Sequence, residues 1–391
     1  MQEPFTFKAA ARLVDFMRQA DQPGLINLAA GVPGWDALPV AALEAAYREA
    51  FEKDGAAMLA YHHPEGDGAL RDLIAARLEH RGVSVKGSDL VLTTGCTQAL
   101  AVMLSVLVEP GDVVACEAPA YYGLLELLDL FGARVLPIPL LPGGAGLDLD
   151  AAETAFRRWK PKVAVVCTTL SNPSGATLDL PARKRLVEIC RENGTRLLED
   201  DIYGEFADDG APTLCRAFDD GSTVSVVTSF SKTVAPGLRI GYCLPGTPEL
   251  HDAFACRKTQ QDLHSAVVTE VGLRHFFQRG EMEPHLATLR ERNRHRRTLA
   301  LDAIARSFPA EAIVAPPCGG FMLWVQLPDG TDMLRLRDEA RAHGVVFAAG
   351  QVFFPQRLAP EGPQYFRLNC AKAGEEELVR GIETLGRLLS S

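Results

Sequence analysis

Residues 223–244 read TVSVVTSFSKTVAPGLRIGYCL. The stretch opens on one short apolar run and closes on another. Between them it sets Lys232 among hydroxyls, with Arg239 seven positions later. Short continuous apolar runs are strands covered on both faces, as in a mostly parallel sheet flanked by helices. A lysine at the mouth of such a strand is partly desolvated, which lowers its pKa and lets the neutral amine attack a carbonyl. That makes Lys232 a Schiff-base candidate. The bland alternative, a solvated loop lysine, is the commoner fate of a single Lys, so the rest of the chain has to decide.

Working outward, the same texture repeats. DLVLTT (89–94) runs through a Gly turn into TQALAVMLSVLV (97–108), where Ala99, Leu100, Val102, Met103, Val106 and Leu107 recur at helical spacing. Strands DVVAC, RVLPIPL, KVAVVCTT, TRLLED, TVSVVTS and RIGYCL follow, with helices YGLLELLDLFG and PARKRLVEICRENG between some of them. The second of these helices has Pro181 in its first turn and Gly194 past its end. Beyond about residue 245 long helical stretches take over, including 274–308, followed by short strands GGFMLWVQL and YFRLNCA. The expected organisation is an N-terminal segment (1–45) packing with a small domain, a large domain (46–275) on a seven-stranded, mostly parallel sheet, and a small α+β domain (276–391). LPGGAGLDL (141–149) is expected as a loop.

Composition narrows the function. The chain has 391 residues, enough for two domains, and a net charge of -10, which offers no uniform basic field to nucleic acid or an anionic membrane. The arginines between 290 and 297 are expected as a solvated helix face. Nine cysteines, without a CxxC pair and several within apolar runs, read as reduced core thiols and give no metal set. The N-terminus lacks the apolar stretch of a signal peptide and no segment reaches spanning length, so a cytoplasmic location is expected.

In an open α/β sheet, ligands bind outside the carboxyl ends of the strands. There the first strand meets Gly95, Cys96 and Thr97 at a helix start, where backbone amides and the helix dipole favour an anion. Another strand ends in SNPSG, with Asn172 held extended by the following proline. A third ends at Asp200 and Asp201, with Tyr203 beyond. The fourth ends at Ser229, Ser231 and Lys232. Each alone has a structural explanation; together they describe one site.

SNPSG (171–175), DDIYG (200–204) and SFSKTVAPGLRIGY (229–242), with FRLNCA (366–371), resemble the class I/II aminotransferases of the fold-type I pyridoxal phosphate family, along essentially the whole chain. EAPAYYG and TTGCTQAL are similar to 2-aminoadipate aminotransferases and to the aminotransferase-like domain of GntR-type regulators; the N-terminal DNA-binding domain of those regulators is not expected here, and a free-standing enzyme is. The resemblance implies that Lys232 forms the Schiff base with pyridoxal 5'-phosphate and then moves the substrate proton. It implies that Asp200 pairs with the pyridine nitrogen; the D-x-x-Y spacing prefers it to Asp201. Tyr203 and Asn172 would hold the 3'-oxygen, and Tyr121, with Tyr122 as fallback, would stack on the ring.

The amides of Gly95, Cys96 and Thr97, with Ser229, Ser231 and Arg239, would hold the phosphate. Relatives often carry Ser or Thr where Cys96 stands, so contact there is expected from its amide. Tyr61 would reach the neighbouring subunit's phosphate, implying a homodimer with shared sites; His62 and His63 beside it are expected as loop residues. Arg367 would bind the substrate carboxylate, with Asn172 and backbone at Gly31 close by. The implied reaction is ping-pong transfer of an amino group from an L-amino acid to a 2-oxo acid, 2-oxoglutarate or pyruvate. Trp35, Phe353 and Phe354, in segments expected to line the side-chain pocket and free of obvious Arg or Lys, favour an apolar or aromatic substrate over a dicarboxylic one. Another pyridoxal phosphate reaction (lyase, synthase, decarboxylase or racemase) and a non-catalytic sensor are the rival readings.

Overall fold

The computed structural model describes residues 3–6, 22–144, 146–355 and 364–390. The apolar runs assemble into a seven-stranded sheet of β2 (Val91–Thr93), β3 (Val113–Ala118), β4 (Arg134–Pro139), β5 (Val163–Val166), β6 (Arg196–Asp200), β7 (Val224–Ser229) and β8 (Gly241–Leu244). Their spatial order is β2-β8-β7-β6-β5-β3-β4. Only β8 runs against its neighbours, pairing antiparallel with β2 and β7. The parallel strands β3, β5, β6 and β7 therefore end on the same edge, which is where the residues singled out above are gathered.

Both faces of this sheet are covered, as its strand composition requires. Helix Cys96–Leu107 packs with Val114, Val165 and Val227 on one face, and helices Leu149–Trp159 and Leu180–Asn193 pack with Ala164, Leu197 and Val224 on the other. Helix Leu180–Asn193 is bounded by the Asp179 carboxylate, which accepts from the Ala182 amide, and by Gly194 at φ 68°.

The long helical stretch 274–308 is divided. Helices Val267–Gln278 and Met282–Ser307 meet at Gly280, whose φ of 72° interrupts the helical path. The second sheet contains β9 (Ile313–Val314), β10 (Met322–Leu327), β12 (Ala348–Ala349) and β13 (Gln364–Asn369), all antiparallel, in the order β12-β13-β10-β9. Its core joins helices Met282–Ser307, Met333–Ala342 and Glu375–Leu389. Near the N-terminus, β1 (Ile26–Asn27) pairs in parallel with β11 (Val345–Val346), and the Asn369 amide donates to Leu28 O at 2.8 Å. Residues 26–28 thus pack on the second sheet. Residues 7–21, which the expected N-terminal segment includes, lie outside the described residues.

Candidate active site

A cavity of about 580 Å³ opens at the carboxyl edge of the large sheet. Ser229, Ser231 and Lys232 enter it from the end of β7, Asp200 and Tyr203 from β6, and Asn172 from the turn after β5. Arg367 reaches it from β13, the second sheet. Gly31, Cys96, Thr97, Tyr121 and Arg239 also line it. Residues from more than 300 positions apart therefore share one volume.

Lys232 sits among groups that disfavour its charge. Burial, then Arg367 and Arg239, bring its pKa down to about 8. Its Nζ donates to Gly31 O at 2.7 Å. Opposite in sign is Asp200, whose carboxyl is pushed up to about 6 by burial; hydrogen bonds from the Ile202 amide (3.3 Å) and the Cys96 thiol (3.6 Å) pull it back only in part. Asp201 faces elsewhere. It is buried in a two-point pair with Arg81, Nη2 lying 2.9 Å from Oδ1. Of the two neighbouring carboxylates, Asp200 alone lines the cavity.

Arg367 is fully buried and braced on three sides. Nη1 donates to Asn172 Oδ1 at 2.6 Å, Nη2 donates to Ala29 O, and the guanidinium lies over the Phe353 ring, 5.0 Å from its centroid. The Tyr122 hydroxyl is hydrogen-bonded to it as well. Gly31 is close: a Cβ there would stand 3.4 Å from both terminal nitrogens of Arg367.

The anion end of the cavity is built on backbone. Helix Cys96–Leu107 starts at Gly95 without a side-chain cap, so its first-turn amides are open to a ligand. Gly95 has φ 79°, and a Cβ on it would come 2.6 Å from Arg239 Nη2. Arg239 Nη1 donates to Ser231 Oγ (3.2 Å) and the Ser229 and Ser231 hydroxyls are 2.8 Å apart. A cradle that a methyl group would fill, ringed by amides, hydroxyls and one guanidinium, fits the phosphate of pyridoxal phosphate. Cys96 contributes more than its amide, since its thiol also faces Asp200.

Several sequence expectations need correction or completion. Tyr61, expected at the neighbouring subunit's site, lies outside this chain's own cavity, 85% exposed and edge-on to His264, which leaves that expectation as it stood. Trp35, Phe353 and Phe354 do not line the cavity. Trp35 points outward, 83% exposed, while neighbouring Asp36 is tied to Arg292 and Arg296. Phe353 turns into a core with Tyr122 and Trp324, where it supports Arg367, and Phe354 packs beside that core. Lys372, outside the two segments expected to line the side-chain pocket, also lines the cavity. Glu117 lines it too; a carboxylate closing a buried strand, like Asp200, was the available signal.

Comparison with known proteins places the chain. The profile of the family described as aminotransferase class I and II matches residues 23–385, and the chain belongs to that family. It is 31% identical over 97% of its length, and 94% of the relative's, to a 2-aminoadipate transaminase of Thermus thermophilus. An aromatic-amino-acid aminotransferase of Thermococcus litoralis is 28% identical, with 97% and 91% covered. Among solved structures, the α-aminoadipate aminotransferase of Thermus thermophilus, complexed with N-(5'-phosphopyridoxyl)-L-leucine, superposes with a TM-score of 0.88 at 29% identity over 98% and 95% of the two chains. The protein is an aminotransferase that uses pyridoxal phosphate, on a fold-type I scaffold.

Proposed function

We propose that this enzyme moves the amino group of an L-amino acid to a 2-oxo acid, 2-oxoglutarate or pyruvate, in two half-reactions at the cavity described above. The observation that carries the reading is the convergence of Lys232, Asp200 and Arg367 on one volume. Bound pyridoxal phosphate supplies an electron sink for the pair released when the substrate α-proton leaves. Lys232, with its lowered pKa, carries that proton to and from the α-carbon. Asp200 would hold the cofactor's ring nitrogen, Tyr121 would cover its ring, and Asn172 and Tyr203 would donate to its 3'-oxygen. Arg367 clamps the substrate carboxylate with a fork already fixed by Asn172 and Ala29. The amides of Gly95, Cys96 and Thr97 with Ser229, Ser231 and Arg239 would hold the cofactor's phosphate.

For the variable substrate, Val32, Tyr122 and Leu124 on the cavity wall favour an apolar or aromatic amino acid, in keeping with the aromatic aminotransferase among the relatives. Lys372 supports a second reading, a dicarboxylic substrate of the 2-aminoadipate type. The assembly belonging to this reading is a cytoplasmic homodimer in which Tyr61 serves the partner's site. The organisation belonging to this reading is an N-terminal segment (1–45), a large domain (46–275) and a small domain (276–391), although Phe276, Met282 and Leu286 pack with Leu92, Val226 and Leu244 of the large sheet. The test is an absorbance spectrum of the cofactor-loaded protein, followed by single L-amino acids without any oxo acid. A visible band that converts to the amine form of the cofactor supports transamination. Conversion by phenylalanine and leucine supports the apolar reading and conversion by 2-aminoadipate the dicarboxylic one, whereas glutamate, the amino acid formed from 2-oxoglutarate, converts it under either. A band unchanged by all of them refutes the reading.

A further inference from the structure

Glu117, at the end of β3, is used by no step above and yet faces the cavity. Its side chain is 5% exposed, and Oε1 accepts from the Cys167 amide at 3.2 Å. The Ser171 hydroxyl, buried and without another partner, lies beside it. The charged and titratable groups around it are Asp200 from β6, Cys116 beside it on β3 and Cys167 after β5. None of these is cationic, and no ion pair joins Glu117 to a cation among the described residues. A carboxylate there would be a second buried anion beside Asp200, with one backbone donor and a hydroxyl to offset desolvation.

We propose that Glu117 is a positioning acid that keeps its proton at neutral pH, so that Asp200 is the single anion on this part of the cavity wall, and that its ionisation in alkaline solution weakens the binding of anionic substrates. The proton leaves to solvent, and the charge left behind opposes the carboxylates that Arg367 binds. Burial, and secondarily the Asp200 charge, push the Glu117 carboxyl up to about 8, although Ser171 and the Cys167 amide pull the other way.

The sign follows from linkage. The folded chain holds a proton that the unfolded chain has released between about 4.5 and about 8. Wild-type stability therefore falls as pH rises through that window. Glu117→Gln keeps the oxygen that accepts from Cys167 and cannot ionise. The first experiment compares melting temperatures of the two apoproteins from about pH 5 to 9. The gap should widen in favour of Glu117→Gln as pH rises. A flat gap between two folded proteins overturns the proposal. Should the variant not fold, infrared spectra of wild-type apoprotein over the same range read the protonated carboxyl directly, and its absence at neutral pH overturns the proposal equally.

The second experiment rests on the aminotransferase reading and measures the amino-acid half-reaction against pH. The ratio of kcat/KM, variant over wild type, should rise about threefold to tenfold between about pH 7 and 9, in KM more than in kcat. Coincident KM profiles overturn the charge role even if the melting gap widens. If wild type converts no amino acid, the functional reading fails, while the apoprotein comparison still decides whether Glu117 holds a proton.

Discussion

At the scale of single residues, the site is a set of charges held in places that disfavour them. Asp200 shows the consequence for stability. Its folded carboxyl titrates near 6 against an ordinary value of 3.8. The folded state binds the extra proton between those values, so stability falls as pH rises through them, and the penalty is complete above about 6. Asp200→Asn keeps an oxygen to accept from Ile202 and removes the buried charge. It should raise the apoprotein melting temperature at pH about 7.5 while lowering kcat/KM by about 10²-fold or more. Calorimetry and half-reaction kinetics on the same preparation check both. A loss of both stability and activity would contradict the account of Asp200 as a desolvated anion.

At the scale of elements, the strand ends and the helix start fix what the residues can do. The phosphate cradle depends on the left-handed Gly95 and on its closeness to Arg239. Gly95→Ala should preserve the fold and weaken cofactor binding by about tenfold or more, through strain at φ 79° and displacement of Arg239. Equilibrium titration of apoprotein with pyridoxal phosphate measures it. The neighbouring Asp201 tests the opposite kind of role. Its buried pair with Arg81 is structural, so Asp201→Ala should cost about 3–5 kcal/mol in denaturant unfolding, leaving a buried arginine without its partner. Surviving folded protein should still bind cofactor. Sequence patterning read these elements well where their cause is local. β6 and β7 were apolar runs, and helix Leu180–Asn193 carried its own start and stop. It failed at Gly280, because helical periodicity on both sides conceals one residue in a left-handed turn.

At the scale of the molecule, the cavity lies between the large sheet and the second sheet, with Lys232 and Arg367 contributed from opposite sides. Trp35, Val40, Leu59, Tyr61 and Leu263 remain exposed in the single chain. These apolar side chains suit burial against a second copy. Light scattering should give a dimer, and Tyr61→Phe should weaken cofactor binding several-fold without changing the dimer or the melting temperature, as expected for one lost hydrogen bond worth about 1 kcal/mol. A monomer with full activity would refute the shared site. Among the described residues no helix is long and apolar enough to cross a membrane.

The sequence by itself determined the sheet and the motif residues, because strand burial, helix punctuation and the order of SNPSG, DDIYG and SFSKTVAPGLR are local properties of the chain. It also separated Asp200 from Asp201 only by spacing; the Arg81 pair supplies the physical reason, and Arg81 is 120 positions away. Tertiary structure alone decided which side chains share the cavity. It turned Trp35 outward, put Phe353 under Arg367, and brought Glu117 and Lys372 to the wall. The reason is that the direction of a side chain and the charge it keeps depend on neighbours brought together only by folding.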